Sequence, residues 1–175
     1  MEFSIIKASE ILSRTPSVLD VLLKDLSPEW VYANEGENTW SPHIVIGHLV
    51  FAEEDNWMPR LRKILSGSDI TFKAFDRFAQ LSRYQGSSTD ELLQRFTAAR
   101  RQSLSELHAL NLTKDQLELK GIHPDLGDVT LSQLLSAWTV HDLDHINQIS
   151  RVLAKQYSHA VGPWIKSLGV LKRAI

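Results

Sequence analysis

Three histidines carry the chemistry that this sequence can offer. His141 and His145 close the run His141-Asp142-Leu143-Asp144-His145, and His48 stands in Gly47-His48-Leu49. Both stretches have helical periodicity. On a helix, residues four apart share a face with Cβ atoms roughly 5–6 Å apart, a span across which two imidazoles can grip one metal ion. A third imidazole from a neighbouring helix completes an open three-nitrogen site of the kind catalytic zinc uses. Neutral nitrogens suit zinc, nickel, copper and iron alike, so the spacing does not select the metal. Such an ion lowers the pKa of a bound water, or holds a thiol as thiolate, and makes a nucleophile at neutral pH. The alternative is a purely structural cluster, which would leave buried ring nitrogens unsatisfied or sharing protons.

Four predicted helices must position these rings. His141 and His145 lie on the apolar stripe Leu131, Leu134, Leu135, Trp138, Ile149 and Val152 of a helix over residues 131–156. The capping box Thr130-Leu131-Ser132-Gln133 opens it. His48 falls on the inward face of a helix that begins at Ser41-Pro42 and runs to about residue 65, with Pro59 predicting a kink or break. The first helical stretch covers residues 4–26 and is interrupted near Thr15-Pro16, read as a cap followed by proline at the first helical position. The third helix starts at the capping box Ser88-Thr89-Asp90-Glu91 and reaches about Leu110. Residues 66–87 read as irregular, too long for a tight hairpin and suited to a crossover; 121–128 read as a loop. No useful strand alternation is present. The expected fold is all-α, a four-helix bundle with a long crossover between helices 2 and 3, with residues 1–175 as a single domain.

Several polar neighbours are candidates for supporting the rings. Asp142 follows the first histidine of the pair, Gln148 lies seven residues after His141, and Asp55 lies seven after His48 on the same face. Each could orient an imidazole or simply be a solvated residue. Trp138 reads as core. His43, His108 and His159 sit at helix ends or beyond, and His123 lies in the glycine-containing loop. A zinc-peptidase reading fails on residue type, because Asp142 replaces the glutamate that should follow the first histidine and Arg151 stands where a third one would be needed.

Composition narrows the functional classes. A net charge of −2 gives no broad basic surface for nucleic acid. The chain has no cysteine, so any thiol chemistry must use a thiol brought by the substrate. No apolar run approaches the 18 or so residues that span a bilayer, and the N-terminal residues lack a signal-peptide pattern, so a cytoplasmic protein is expected. After His145 there is no acidic residue, but Arg151, Lys155, Lys166, Lys172 and Arg173 follow. Cations suit the end of the last helix; an anionic substrate or partner is the alternative.

The motifs Trp40-Ser41-Pro42, Gly47-His48-Leu49, His123-Pro124 with Leu126-Gly127 and Thr130-Leu131, and His141-Asp142-Leu143 with His145-Ile146-Asn147-Gln148-Ile149 occur together in this order. The ending Ala154-Lys155-Gln156-Tyr157 with Val161-Gly162-Pro163-Trp164 completes the set. Over most of its length the chain resembles the DinB-like superfamily, in its DinB_2 branch. The resemblance implies a four-helix bundle with a long crossover and a divalent metal ion, zinc or nickel, held by His48, His141 and His145. It also implies a homodimer. Characterised relatives include bacillithiol and glutathione S-transferases and a mycothiol-dependent isomerase, in which the metal activates a low-molecular-weight thiol. The expected function is therefore a metal-dependent transferase that activates a low-molecular-weight thiol for a small-molecule substrate, with no nucleic-acid or membrane partner. The alternatives are a metal-dependent hydrolase and a non-enzymatic, metal-braced, stress-related protein.

Overall fold

Helix starts in this chain are set by its small polar residues. In the computed structural model, which describes residues 2–172, Ser88 and Glu91 form a reciprocal capping box at the start of α7 (Thr89–Ala109), and Thr130 with Gln133 does the same for α9 (Leu131–Lys155). Ser41 accepts from the Ile44 amide at the start of α4 (Pro42–Ala52). Each cap satisfies amides that the first turn leaves without partners. With α1 (Ile5–Leu12) and α2 (Thr15–Leu23) forming a broken first helix, these elements make the expected four-helix bundle.

Two prolines shape the bundle differently from expectation. Thr15 is not the cap of α2: the residue before it, Arg14, is itself helical, and the Thr15 hydroxyl donates back to the Ile11 carbonyl at 3.3 Å. The interruption comes from Pro16, which offers no N–H to the Leu12 carbonyl four residues earlier. In the second helix, Pro59 causes no break. The chain widens into a π-turn, Glu53–Trp57, and resumes as α5 (Met58–Ser66). Widening the turn accommodates the donor that Pro59 lacks and the bulk of its ring.

The connections hold more structure than their composition indicates. Pro28–Val31 forms the short α3, the crossover carries α6 (Ala79–Arg83), and α8 (Lys114–Leu117) follows α7. Residues 121–128, expected as a loop, belong to a hairpin of β1 (Lys120–His123) and β2 (Gly127–Thr130), paired antiparallel with Gly121 opposite Val129. Four-residue strands containing glycine and histidine give no readable alternation, and the pairing is fixed by tertiary contact: Ile122 accepts from the Phe72 amide at 2.8 Å and donates to Ile70 at 2.9 Å. Gly121 is required there, because a Cβ would lie 2.5 Å from the Phe72 ring and 3.0 Å from Ile64. Gly121→Ala is expected to cost about 1–3 kcal/mol through overpacking, measured as a lowered urea midpoint at unchanged slope.

The apolar core falls into two clusters. One gathers Leu12, Trp57, Leu61, Leu104, Leu107, Leu131 and Trp138; the other gathers Leu19, Val45, Leu49, Phe96 and Ile149. Between them along three helices stand buried polar residues: His48 and Glu53 on the second, Arg100 on α7, Asp142 and His145 on α9. The functional candidates occupy this polar layer. No helix among the described residues is long and apolar enough to cross a membrane.

Candidate metal centre

His48 projects from the middle of α4, an almost wholly buried helix with Val45, Ile46, Leu49 and Val50 all inside, and is itself buried. His141 and His145 project from adjacent turns of α9. The three rings meet through the same atom: His141 Nε2 lies 3.1 Å from His48 Nε2 and 3.1 Å from His145 Nε2. All three ligand atoms lie within 4.8 Å of one another. Aromatic rings wall the cluster. Trp40 and Phe75 lie 5.0 and 5.8 Å from His48 between centroids, and Trp57 lies 5.1 Å from His141.

Burial keeps these imidazoles neutral. It is the main cause that lowers His48 to about 3, with His145 and Arg77 adding repulsion. His141 falls to about 2, again chiefly by burial, with His145, His48 and Arg100 contributing. His145 is also lowered by burial, partly offset by its bond to Gln148 and by Asp144 and Asp142. His145 Nδ1 donates to Gln148 Oε1 at 2.8 Å, which fixes the tautomer whose Nε2 lone pair faces the other rings.

A neutral imidazole has one N–H, so His141 Nε2 cannot donate to both neighbours at once, and without an ion the three nitrogens compete for protons. A tetrahedral ion with bonds near 2.0–2.1 Å needs its nitrogens roughly 3.3 Å apart, close to the two 3.1 Å separations here. The all-nitrogen donor set suits a borderline divalent ion such as zinc or nickel. The residues fit a divalent metal.

Beneath the triad lies a buried ionic cluster. Arg100 donates to both oxygens of Asp142, at 2.6 and 3.0 Å, and to Glu53 Oε2 at 2.9 Å. Its Nη1 also donates to the Leu12 carbonyl at 2.8 Å, the acceptor that Pro16 leaves free. Trp138, core as expected, donates its indole N–H to Glu53 at 3.1 Å. Burial opposes the Arg100 charge, but Glu53 and Asp142 more than compensate and hold its pKa above the ordinary arginine value; Glu53 is raised by burial against the pull of Arg100.

The supporting residues thus sort differently from their spacing. Gln148 contacts His145 rather than His141. Asp142 is fully buried and faces Arg100. Asp55 is on the surface, paired with Arg83, because the π-turn breaks the seven-residue register with His48. His43 bonds Thr89, His108 bonds Ser9, and His123 packs on Phe72, none of them at the triad. Sequence reasoning missed Glu53, Arg100 and the aromatic wall. Arg100 had a visible signal, lying midway between Phe96 and Leu104 on the apolar stripe of α7.

A pocket of about 250 Å³ opens beside His145, lined by Glu35, Trp40, Arg77, Phe78 and Arg151 among others. The four-helix fold and the histidine triad define a known class of bundle protein. The sequence pattern of the DinB superfamily matches residues 11–149, which include all three histidines, and the chain belongs to that superfamily. YfiT from Bacillus subtilis, described as a probable metal-dependent hydrolase with an unusual four-helix bundle topology, superposes with a TM-score of 0.74 at 16% identity over 87% of each chain. TT2238, described as a four-helix bundle protein, superposes with a TM-score of 0.55 at 21% identity, over 84% of this chain and 98% of its own. No curated protein matches the chain.

Proposed function

We propose that this protein is an enzyme that uses one divalent metal ion, zinc or nickel, held by His48, His141 and His145, to act on a small-molecule substrate. The observation that carries this reading is the meeting of three neutral Nε2 atoms at the edge of a polar pocket. When bound, the ion supplies a Lewis acid that lowers the pKa of a thiol or a water. The chain's own residues do the rest: Gln148 holds the His145 tautomer, Trp40, Phe75 and Trp57 limit water around the rings, and the pocket admits substrate from the His145 side. The chain contributes no thiol of its own. We take transfer of a low-molecular-weight thiol to an electrophile as the leading reaction, on the strength of the motif resemblance, which also supports a homodimer. Hydrolysis is the second reading, favoured by the fold likeness to YfiT.

Elemental analysis of purified protein should return close to one zinc or nickel per chain. Metal-loaded protein is then assayed with electrophiles in the presence and absence of added thiols. Turnover that requires thiol supports transfer, and turnover in water alone supports hydrolysis. Protein that takes up no divalent ion even after reconstitution overturns the metal reading and leaves the cluster a structural one.

A further inference from the structure

The pocket beside His145 is lined by two arginines and one acid, Arg77, Arg151 and Glu35. Arg151 is gripped by Glu35, with Nε and Nη2 each 2.8 Å from a carboxylate oxygen. The Glu35 side chain is 1% exposed and that of Arg151 15%. This two-point clamp fixes the guanidinium plane and leaves its Nη1 edge without a protein acceptor among the described residues. Lys155 Nζ lies 3.9 Å from the same carboxylate, and Asp144 is a second acid that acts on Arg151. Arg77 comes from the crossover. Its guanidinium lies 4.9 Å from the Phe78 ring centre, and it forms no ion pair among the described residues.

Helix-end stabilisation accounts for Lys155, which is in the last turn of α9, but not for Arg151 one turn earlier or for Arg77, which is on no helix. Cations lining a polar recess concentrate anions there, and a fixed guanidinium edge matches a planar or tetrahedral oxyanion. The pocket volume of about 250 Å³ holds roughly eight water-sized groups, enough for a small metabolite's anionic end. Trp40 and Phe78, edge to face at 6.1 Å, supply its apolar side.

We propose that this pocket binds the anionic end of the substrate, a carboxylate or phosphate, on Arg77 and the free edge of Arg151, with the reacting group directed at the histidine triad. The proposal rests on the metal-enzyme reading for the second half of that statement and on the pocket alone for the first. The substrate class it names is a small anionic metabolite.

The test compares 3-mercaptopropionate with its neutral amide, titrated into zinc-loaded and into chelated protein, with the Trp40 indole N–H resonance as reporter. The acid is expected to bind about tenfold more tightly than the amide, the size of one charge-assisted hydrogen bond at a partly exposed site. Arg77→Gln should remove most of that preference, Arg77→Lys should keep part of it, and zinc content should match wild type in both. Inorganic phosphate as competitor separates the two anions: displacement at lower concentration than acetate assigns the site to phosphate, and the reverse to carboxylate. Equal binding of acid and amide by wild-type protein, or a preference untouched in Arg77→Gln, overturns the proposal. Failure of zinc uptake overturns the metal reading instead, and the chelated-protein arm still decides the anion site.

Discussion

Arg100→Met is expected to destabilise the protein by about 3–5 kcal/mol, because it strands two buried carboxylates that now share one guanidinium. Glu53 and Asp142 side chains are both fully buried, and Arg100 is their common partner. Removing the arginine leaves the carboxylates without a counter-charge and the Leu12 carbonyl without a donor. The loss should shrink when the acids are neutralised with it. The triple variant Arg100→Met, Glu53→Gln, Asp142→Asn should recover about 2 kcal/mol or more relative to the single one, since the cost lies in unpaired charge rather than in missing volume. The pH dependence has a definite sign. Burial already raises Glu53, and removing Arg100 takes away the charge that pulls it down, so the penalty is full at neutral pH and declines as the pH falls through the raised value. Urea melts at pH 5 and pH 8 check this: a gap between wild type and Arg100→Met that is larger at pH 5 contradicts it.

His141→Ala should abolish divalent-metal binding while leaving the far-ultraviolet circular dichroism close to wild type. His141 is the ring that touches both others, and its removal leaves two imidazoles, from different helices, to hold the ion. The backbone cost is small, because alanine is favourable in the interior of α9. Gln148→Ala provides the graded comparison. It removes only the acceptor that orients His145, and metal affinity should fall about 10–100-fold instead of being lost. Competition with a chromophoric chelator measures both. Equal affinities in His141→Ala and wild type would place the ion elsewhere.

How much of this the sequence contained depends on the range of the interaction. Capping boxes at Ser88 and Thr130 are local hydrogen-bond patterns within four residues, and both start their helices as expected. The inward placement of His48 and His145 followed from periodicity, which reports burial directly. What failed depended either on a local irregularity of a helix or on the choice of a particular partner distant in the chain. Asp55 shares a face with His48 only if the helix stays α, and the π-turn at Glu53–Trp57 removes that condition. The hairpin at Lys120–Thr130 depends on Phe72 and Ile70, fifty or more residues before Ile122. Asp142, a candidate for orienting an imidazole or for a solvated position, is instead buried against Arg100 on α7, a partner that spacing could not choose. An arginine on an apolar stripe signals a buried carboxylate somewhere without saying which.

Arg100 reaches every helix of the bundle: the Leu12 carbonyl on the first, Glu53 on the second, its own α7, and Asp142 on the fourth. The link to the first helix exists because a proline at position 16 withholds an amide. The weakest point of that helix taken alone is therefore what fastens it to the rest. Detaching it would deprive a buried guanidinium of one acceptor, so local fraying there is tied to the ionic layer under the histidines. The chain gains cooperativity from a residue that, by intrinsic propensity, opposes helix formation.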